Sequence, residues 1–118
     1  MMDRIKKHEA FLRYAGSLPH GKERRELFRN ASPEELKTLC EICSNTRHGR
    51  LPMSFAQKKR LCKYKRQIRR MADKKISTAT KRKLLVADTG GQKGGFIGTL
   101  LGIALPLLAT LIGGRSRK

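Results

Sequence analysis

Two groups of side chains in this chain have the types and spacing to do chemistry. The first is cationic: Lys58, Lys59, Arg60, Lys63, Lys65, Arg66, Arg69, Arg70, Lys74, Lys75, Lys81, Arg82 and Lys83 follow one another with Asp73 as the single acid among them. Ammonium and guanidinium groups at that density displace the counterions condensed on a phosphate backbone, and log affinity then falls by about 0.9 per neutralised phosphate for each decade of salt. The second group is a set of soft ligands. Cys40 and Cys43 are separated by two residues and four more precede His48, the spacing of the first three ligands of a zinc knuckle. The fourth ligand does not follow, because thirteen residues separate His48 from Cys62. Cys40 and Cys43 also share a helical stripe with Leu36 and Leu39, where thiols act as small core hydrophobes. No metal and no cofactor are expected.

Catalytic groups do not converge. His8, His20 and His48 lie in separate segments, and Asp73 and Asp88 stand among cations that hold them ionised rather than poised as acids. The run Gly90 Gly91 Gln92 Lys93 Gly94 Gly95 has neither a preceding strand nor the Gly-Lys-Ser/Thr ending of a phosphate-cradling loop, so it reads as a hinge. The chain is not expected to be an enzyme. A run of Lys and Arg is commonly only a solvated face, but thirteen cations against one acid exceed what solubility asks for.

The composition agrees. Of 118 residues 28 are Lys or Arg and 9 are Asp or Glu, a net charge of +19 and a pI near 10.9. That length allows one small domain with tails and excludes a two-domain enzyme. With no Trp, 2 Tyr and 4 Phe there are few rings on which a single strand would stack its bases. No zinc-finger spacing, helix-turn-helix pattern or aromatic RNA-recognition motif is present, so the expected mode is blind to sequence. An odd count of 3 Cys, and a start without the apolar stretch of a secretory signal, point to a reducing compartment without disulfides. The charge is also zoned. Residues 1–49 carry a net +3, residues 50–86 a net +13, and residues 87–118 a net +3.

The elements that must position these groups are helical. Ile5, His8, Leu12 and Ala15 step by three and four, placing them on one helix face. Residues Gly16 to Gly21, with Pro19 inside, break that pattern. A short helix is predicted from Lys22 to Arg29, offering Leu27 and Phe28 to a core. Ser32 Pro33 Glu34 Glu35 then supplies an N-cap, a proline at the first helical position and a glutamate three residues on. Gly49 fits the stop of that helix, with Pro52 just beyond. A second capping box at Ser54 to Gln57 opens a helix predicted to run to about Lys74, roughly 30 Å at 1.5 Å per residue. Its apolar seam is Leu61, Tyr64, Ile68 and Met71. Cations surround that seam and repel one another by tenths of a kcal/mol per pair, so the far half is expected to firm up on binding a polyanion. A further short helix is predicted from Ser77 to Val86.

The segment after the glycines has a different character. From Gly94 to Gly114 the chain is uncharged for 21 residues, enough to cross a bilayer, with Lys93 on one side and Arg115, Arg117 and Lys118 on the other. Phe96, Ile97, Leu100, Leu101, Ile103, Leu105, Leu107, Leu108, Leu111 and Ile112 are the residues that would meet lipid. Gly94, Gly98 and Gly102 recur every fourth position and permit close helix packing, while Pro106 interrupts the middle. Three arrangements fit: a membrane span, an interfacial or membrane-disturbing segment, and an apolar tail buried against other protein copies or removed by processing.

The run KRKLLVADTGGQKGGFIGTLLGIALPLLATLIGG, residues 81–114, resembles the carboxyl-terminal half of the precursor of the adenovirus mu core peptide. It is more closely similar to small basic virion core proteins of Maverick/Polinton elements and adintoviruses, where KR-K-L-L-V is followed by GGF and an apolar tail. The stretch SPEELKTLCEICSNTRHGRLPMSFAQKKRLCKYKRQIRRMADKK is similar to those proteins too, so the likeness covers most of the chain. The resemblance implies a virion core protein that condenses a double-stranded DNA genome, located in the virion core or host nucleus. It also implies processing by a viral cysteine protease after a Gly-Gly. The matching site is Gly94, Gly95 and Phe96, with Gln92 standing where that protease favours Met, Leu or Ile.

The expectation is therefore an all-α protein in four parts: a small, marginal helical bundle over 1–57, a basic nucleic-acid-binding arm built on the long helix over 58–86, a glycine-rich hinge over 87–95, and an apolar tail over 96–118. Its expected partner is double-stranded DNA, bound without sequence preference, with homo-oligomer or capsid proteins as further partners because so small a core is marginal alone. The rival is a membrane protein whose tail inserts while the basic arm grips anionic headgroups at about 1 kcal/mol per cation. A weaker third reading is a structural RNA-binding protein of ribosomal type.

Overall fold

Helices form where the capping signals fall. The computed structural model describes residues 2–17, 22–87 and 95–116, and among them every regular element is an α-helix. They are α1 (Met2–Lys7), α2 (Glu9–Ser17), α3 (Lys22–Arg29), α4 (Pro33–Arg47), α5 (Phe55–Cys62), α6 (Lys65–Ala72), α7 (Thr78–Ala87) and α8 (Gly95–Ser116). The all-α fold class follows directly.

Both capping boxes are made in full. The Ser32 hydroxyl accepts from the Glu35 amide at 3.1 Å while the Glu35 carboxylate accepts from the Ser32 amide at 2.8 Å. Ser54 and Gln57 repeat the exchange at 3.1 and 2.9 Å at the head of α5. Gly49 turns the chain after α4 with φ +68°, a left-handed conformation that glycine adopts without a Cβ clash. Ser77 receives the Thr80 amide at 3.2 Å and starts α7.

Three expectations about the elements are corrected. The helix opened by Ser54 does not run unbroken to Lys74: it turns at Lys63 and Tyr64, where the Tyr64 amide donates to the Leu61 carbonyl at 2.9 Å, and restarts as α6. The reason lies in the packing. α5 rests on α8 and α6 lies along α4, so one straight rod would not meet both. Gly16 does not break the first helix but sits inside α2, where a Cβ would stand 3.1 Å from the Leu101 Cβ. The close helix approach is therefore made by Gly16, whereas Gly102 faces open space and Gly98 makes room for the Arg24 guanidinium, 3.2 Å from the Cβ position. Replacing Gly16 with Val should cost about 1–3 kcal/mol by prising α2 from α8, read as a lower urea midpoint. An unchanged midpoint would show that the approach is slack.

The largest correction concerns the carboxyl-terminal segment. Phe96, Ile97, Leu100, Leu101, Ile103, Ala104 and Leu108 are buried and belong to one continuous core with Ile5, Leu12, Phe28, Leu36, Leu39, Ile42, Ile68 and Leu85. α8 is thus the central core helix and packs on α2 and α5 rather than trailing as a tail. A helix that is apolar on all sides is covered wherever partners are available; here Gly102, Pro106 and Ala109 stay exposed while its large described side chains turn inward. Leu105 and Leu107 are half-buried against the same core, and α8 continues through Pro106. The side chains of Leu111 and Ile112 lie outside the described residues, as does most of the proposed hinge. Among the described residues no helix is long and apolar enough to cross a membrane.

The basic segment is not a detached arm either. Leu61, Tyr64, Ile68 and Met71 are all buried, as the seam requires, and α7 closes over α3 and α4. A radius of gyration of 13.5 Å equals what the roughly 2.2·N^0.38 Å scaling gives a globular chain of this length; a projecting arm and tail would exceed it.

Candidate nucleic-acid interface

With their seam docked, α5 and α6 turn the rest of their circumference to solvent. Lys58, Lys59, Arg60, Lys63, Lys65, Arg66, Arg69, Arg70, Lys74 and Lys75 are all exposed. Lys59, Lys63, Arg66, Arg70 and Lys74 step by four, three, four and four residues. The turn at Lys63 and Tyr64 bends this outward stripe: Lys59 lies on α5, Lys63 at the turn, Arg66 and Arg70 one helical turn apart on α6, and Lys74 just past its end. A duplex presents about one charge per 1.7 Å of its axis. Lys58, Lys65 and Arg69 form a second row beside a groove.

The ion pairs show how unusual this face is. Arg4 reaches Glu41 at 2.8 Å and Glu34 at 3.7 Å, Arg13 meets Glu9 at 2.7 Å, Arg29 meets Glu26 at 2.9 Å, and Lys37 meets Glu34 at 4.0 Å. All of these lie within residues 4–41. Among the described residues none of the ten cations on this face has a carboxylate within 4 Å. Asp73, the acid closest to them in sequence, instead accepts the Lys75 backbone amide at 2.9 Å. Lys63 lies 5.3 Å from the centre of the Tyr64 ring, a cation–π contact that leaves its charge on the surface.

Three of the thirteen expected nucleic-acid residues, Lys81, Arg82 and Lys83, are on α7 and not on this face. Lys81 is only 7% exposed and is set against Cys40. Arg82 donates from Nη1 to the carbonyls of Phe28, Arg29 and Ala31 at 3.0, 3.1 and 2.7 Å, satisfying the orphan acceptors where α3 ends. Both therefore serve the fold, and Lys83 alone of that triplet is exposed. Arg82→Gln should destabilise the protein by about 1.5–3 kcal/mol, the range for hydrogen bonds to a charged group, while leaving duplex affinity within twofold. Equal loss of affinity and stability would place Arg82 in the interface instead. Arg47, which the sequence reading passed over, joins the groove's rim from the last turn of α4; its place just before the Gly49 stop was the only signal.

The thiols and His48 do not converge. Cys43 is fully buried, Cys40 half-buried and Cys62 exposed, while the His48 ring contacts the Ser44 carbonyl through Nδ1 at 2.8 Å. No cluster of three or more His, Cys, Asp or Glu side chains with metal-holding geometry occurs among the described residues. Burial pushes both the Cys43 and Cys40 thiols above the ordinary value of 9.0, with Lys81 pulling Cys40 partly back. The folded chain keeps the Cys43 proton where the unfolded chain loses it. Stability should accordingly fall as pH rises past about 9, and Cys43→Ala should flatten that fall; a fall of the same steepness in the variant would refute it.

Of the processing residues, Gly94 lies outside the described residues, Gly95 begins α8, and Phe96 is 1% exposed. The bond after Gly95 thus leads directly into the core, unlike the exposed loop tips where proteases cut folded chains. No protein-family model matches the chain, nor does any curated protein or solved structure.

Proposed function

We propose that the protein binds double-stranded DNA without sequence preference and packs it by charge neutralisation, as a virion core protein would. The observation that carries this reading is the α5–α6 face: ten exposed cations with no carboxylate within ion-pair distance among the described residues, on a fold that pairs its acids elsewhere. The groups on this face are ammonium and guanidinium, fit for phosphate oxygens. The Phe55 ring and the Gln67 amide are exposed on the same helices, but as single residues and not as a row that reads base edges. The resemblance to core proteins of Maverick/Polinton elements and adintoviruses supports the same reading. Against the rival membrane reading stands the burial of Phe96, Ile97, Leu100, Leu101, Ile103 and Leu108, the large α8 side chains that would otherwise meet lipid.

Competition tests this. A labelled duplex bound to the full chain at low salt should be displaced equally well by a second duplex of unrelated sequence, less well by a folded RNA, and poorly by vesicles of anionic lipid. Preference for the folded RNA would favour the ribosomal type of binding. Displacement by vesicles below the concentration at which duplex competes would return the membrane reading.

A further inference from the structure

Continued one turn back from Lys59, the outward stripe reaches a ring. Phe55 stands four residues before Lys59 and three before Lys58, so the three side chains share one face of α5. The ring is 80% exposed, against 53% for Tyr14, the other large apolar side chain so displayed among the described residues. A lone apolar residue in solvent is common and needs no explanation in itself. The place of this one is what distinguishes it. Neither Lys58 nor Lys59 has a carboxylate within 4 Å among the described residues, so a polyanion that meets both is brought onto the ring between them.

The ring is also firmly rooted. Phe55 is the first residue of α5, directly after Ser54, and the Ser54–Gln57 capping box fixes that turn through bonds of 3.1 and 2.9 Å. A phenyl group on a fixed helix end has only two side-chain torsions left to order when it meets a partner. Leu61 of the same helix supplies the contact with the core, which leaves Phe55 free to face outward.

We propose that Phe55 is a wedge that enters the duplex between two adjacent base pairs from the minor groove, while Lys58 and Lys59 hold the phosphates beside that step. The inference rests on the DNA-binding reading. Apolar side chains inserted in this way part a base step and kink the duplex by about 20–90° toward the major groove. The ring carries neither donor nor acceptor, so insertion asks for no particular hydrogen-bonding pattern on the bases. Bending also serves packing, because a stiff duplex resists condensation and each kink relieves part of that resistance.

Bending and binding can be read separately. A short duplex with a fluorophore at each end, saturated with the full chain at low salt, should show increased energy transfer between its ends. Phe55→Ala removes no charge and no buried side chain. It should keep the parent's helical signal and salt slope, yet leave the energy transfer of the saturated duplex at the value of free duplex. Phe55→Trp gives a chain without tryptophan a single reporter at the wedge; duplex should quench its emission and shield it from acrylamide. Tyr14→Trp, on α2, should keep its emission and its access to acrylamide. Equal energy transfer with the parent and with Phe55→Ala, or quenching of Phe55→Trp without any rise in transfer, overturns the wedge and leaves DNA binding standing. Failure of the parent and every variant to bind duplex overturns both.

Discussion

Removing residues 96–118 should unfold the protein. Six large side chains of α8, namely Phe96, Ile97, Leu100, Leu101, Ile103 and Leu108, are no more than 2% exposed. At about 1.5–3 kcal/mol for each buried side chain of this size, their loss removes roughly 9–18 kcal/mol, against a typical net stability of about 5–15 kcal/mol. The same deletion strips cover from α2, whose buried residues are Leu12 and Ala15, and from α5, whose buried residue is Leu61, two of the helices that α8 packs against. The expected result is loss of the cooperative thermal transition and most of the helical circular dichroism. A truncated chain that melts cooperatively near the parent's temperature would show that α8 is an accessory and would revive the tail reading. The prediction also bears on processing: cleavage after Gly95 should require prior unfolding, so the folded chain should outlast a denatured one under a Gly-Gly-directed protease.

The second large effect is on binding. Reversing Lys59, Arg66 and Arg70 to Glu removes three of the five cations of the outward stripe and touches no buried group. Each lost phosphate contact should lower the salt slope by about 0.9, and three together should weaken duplex binding at 0.1 M salt by two to three orders of magnitude. Thermal stability should hold or rise, because like charges three and four apart on α5 and α6 are relieved. Gel shifts and a melting curve on the same preparation read both quantities. Retained affinity would move the interface off this face.

Much of the fold was legible because local signals fixed it. Ser32 with Glu35, Ser54 with Gln57, and Gly49 act within one turn of their own helices, so their sequence spacing contains the whole interaction. The seam Leu61, Tyr64, Ile68 and Met71 was legible for the same reason, as its period is that of the helix. What the sequence did not disclose was long-range. An apolar segment free of charge reads alike whether it enters lipid or lies at the centre of a bundle, and only the helices around α8 decide. The turn at Lys63 and Tyr64 was hidden because the seam keeps a helical spacing straight through it. It is the separate docking of α5 on α8 and α6 on α4 that breaks the rod.

The candidate site divides in the same manner. Cation density marked the α5–α6 face, since ten charges in eighteen residues cannot all be turned inward. Composition treats every Lys and Arg alike, however, and Lys81 and Arg82 proved to be held by Cys40 and by the end of α3, partners 41 or more positions away in the chain. Arg47 was passed over because it stands outside the cationic run and joins the face only through the fold.

The salt dependence of duplex binding by the intact chain is the decisive measurement. Between the five cations of the outward stripe and all ten on the face, log affinity against log salt should fall with a slope of about −4.5 to −9, alike for duplexes of unrelated sequence. A slope near zero, or no binding at low ionic strength, would contradict the claim that this face is built for a polyphosphate.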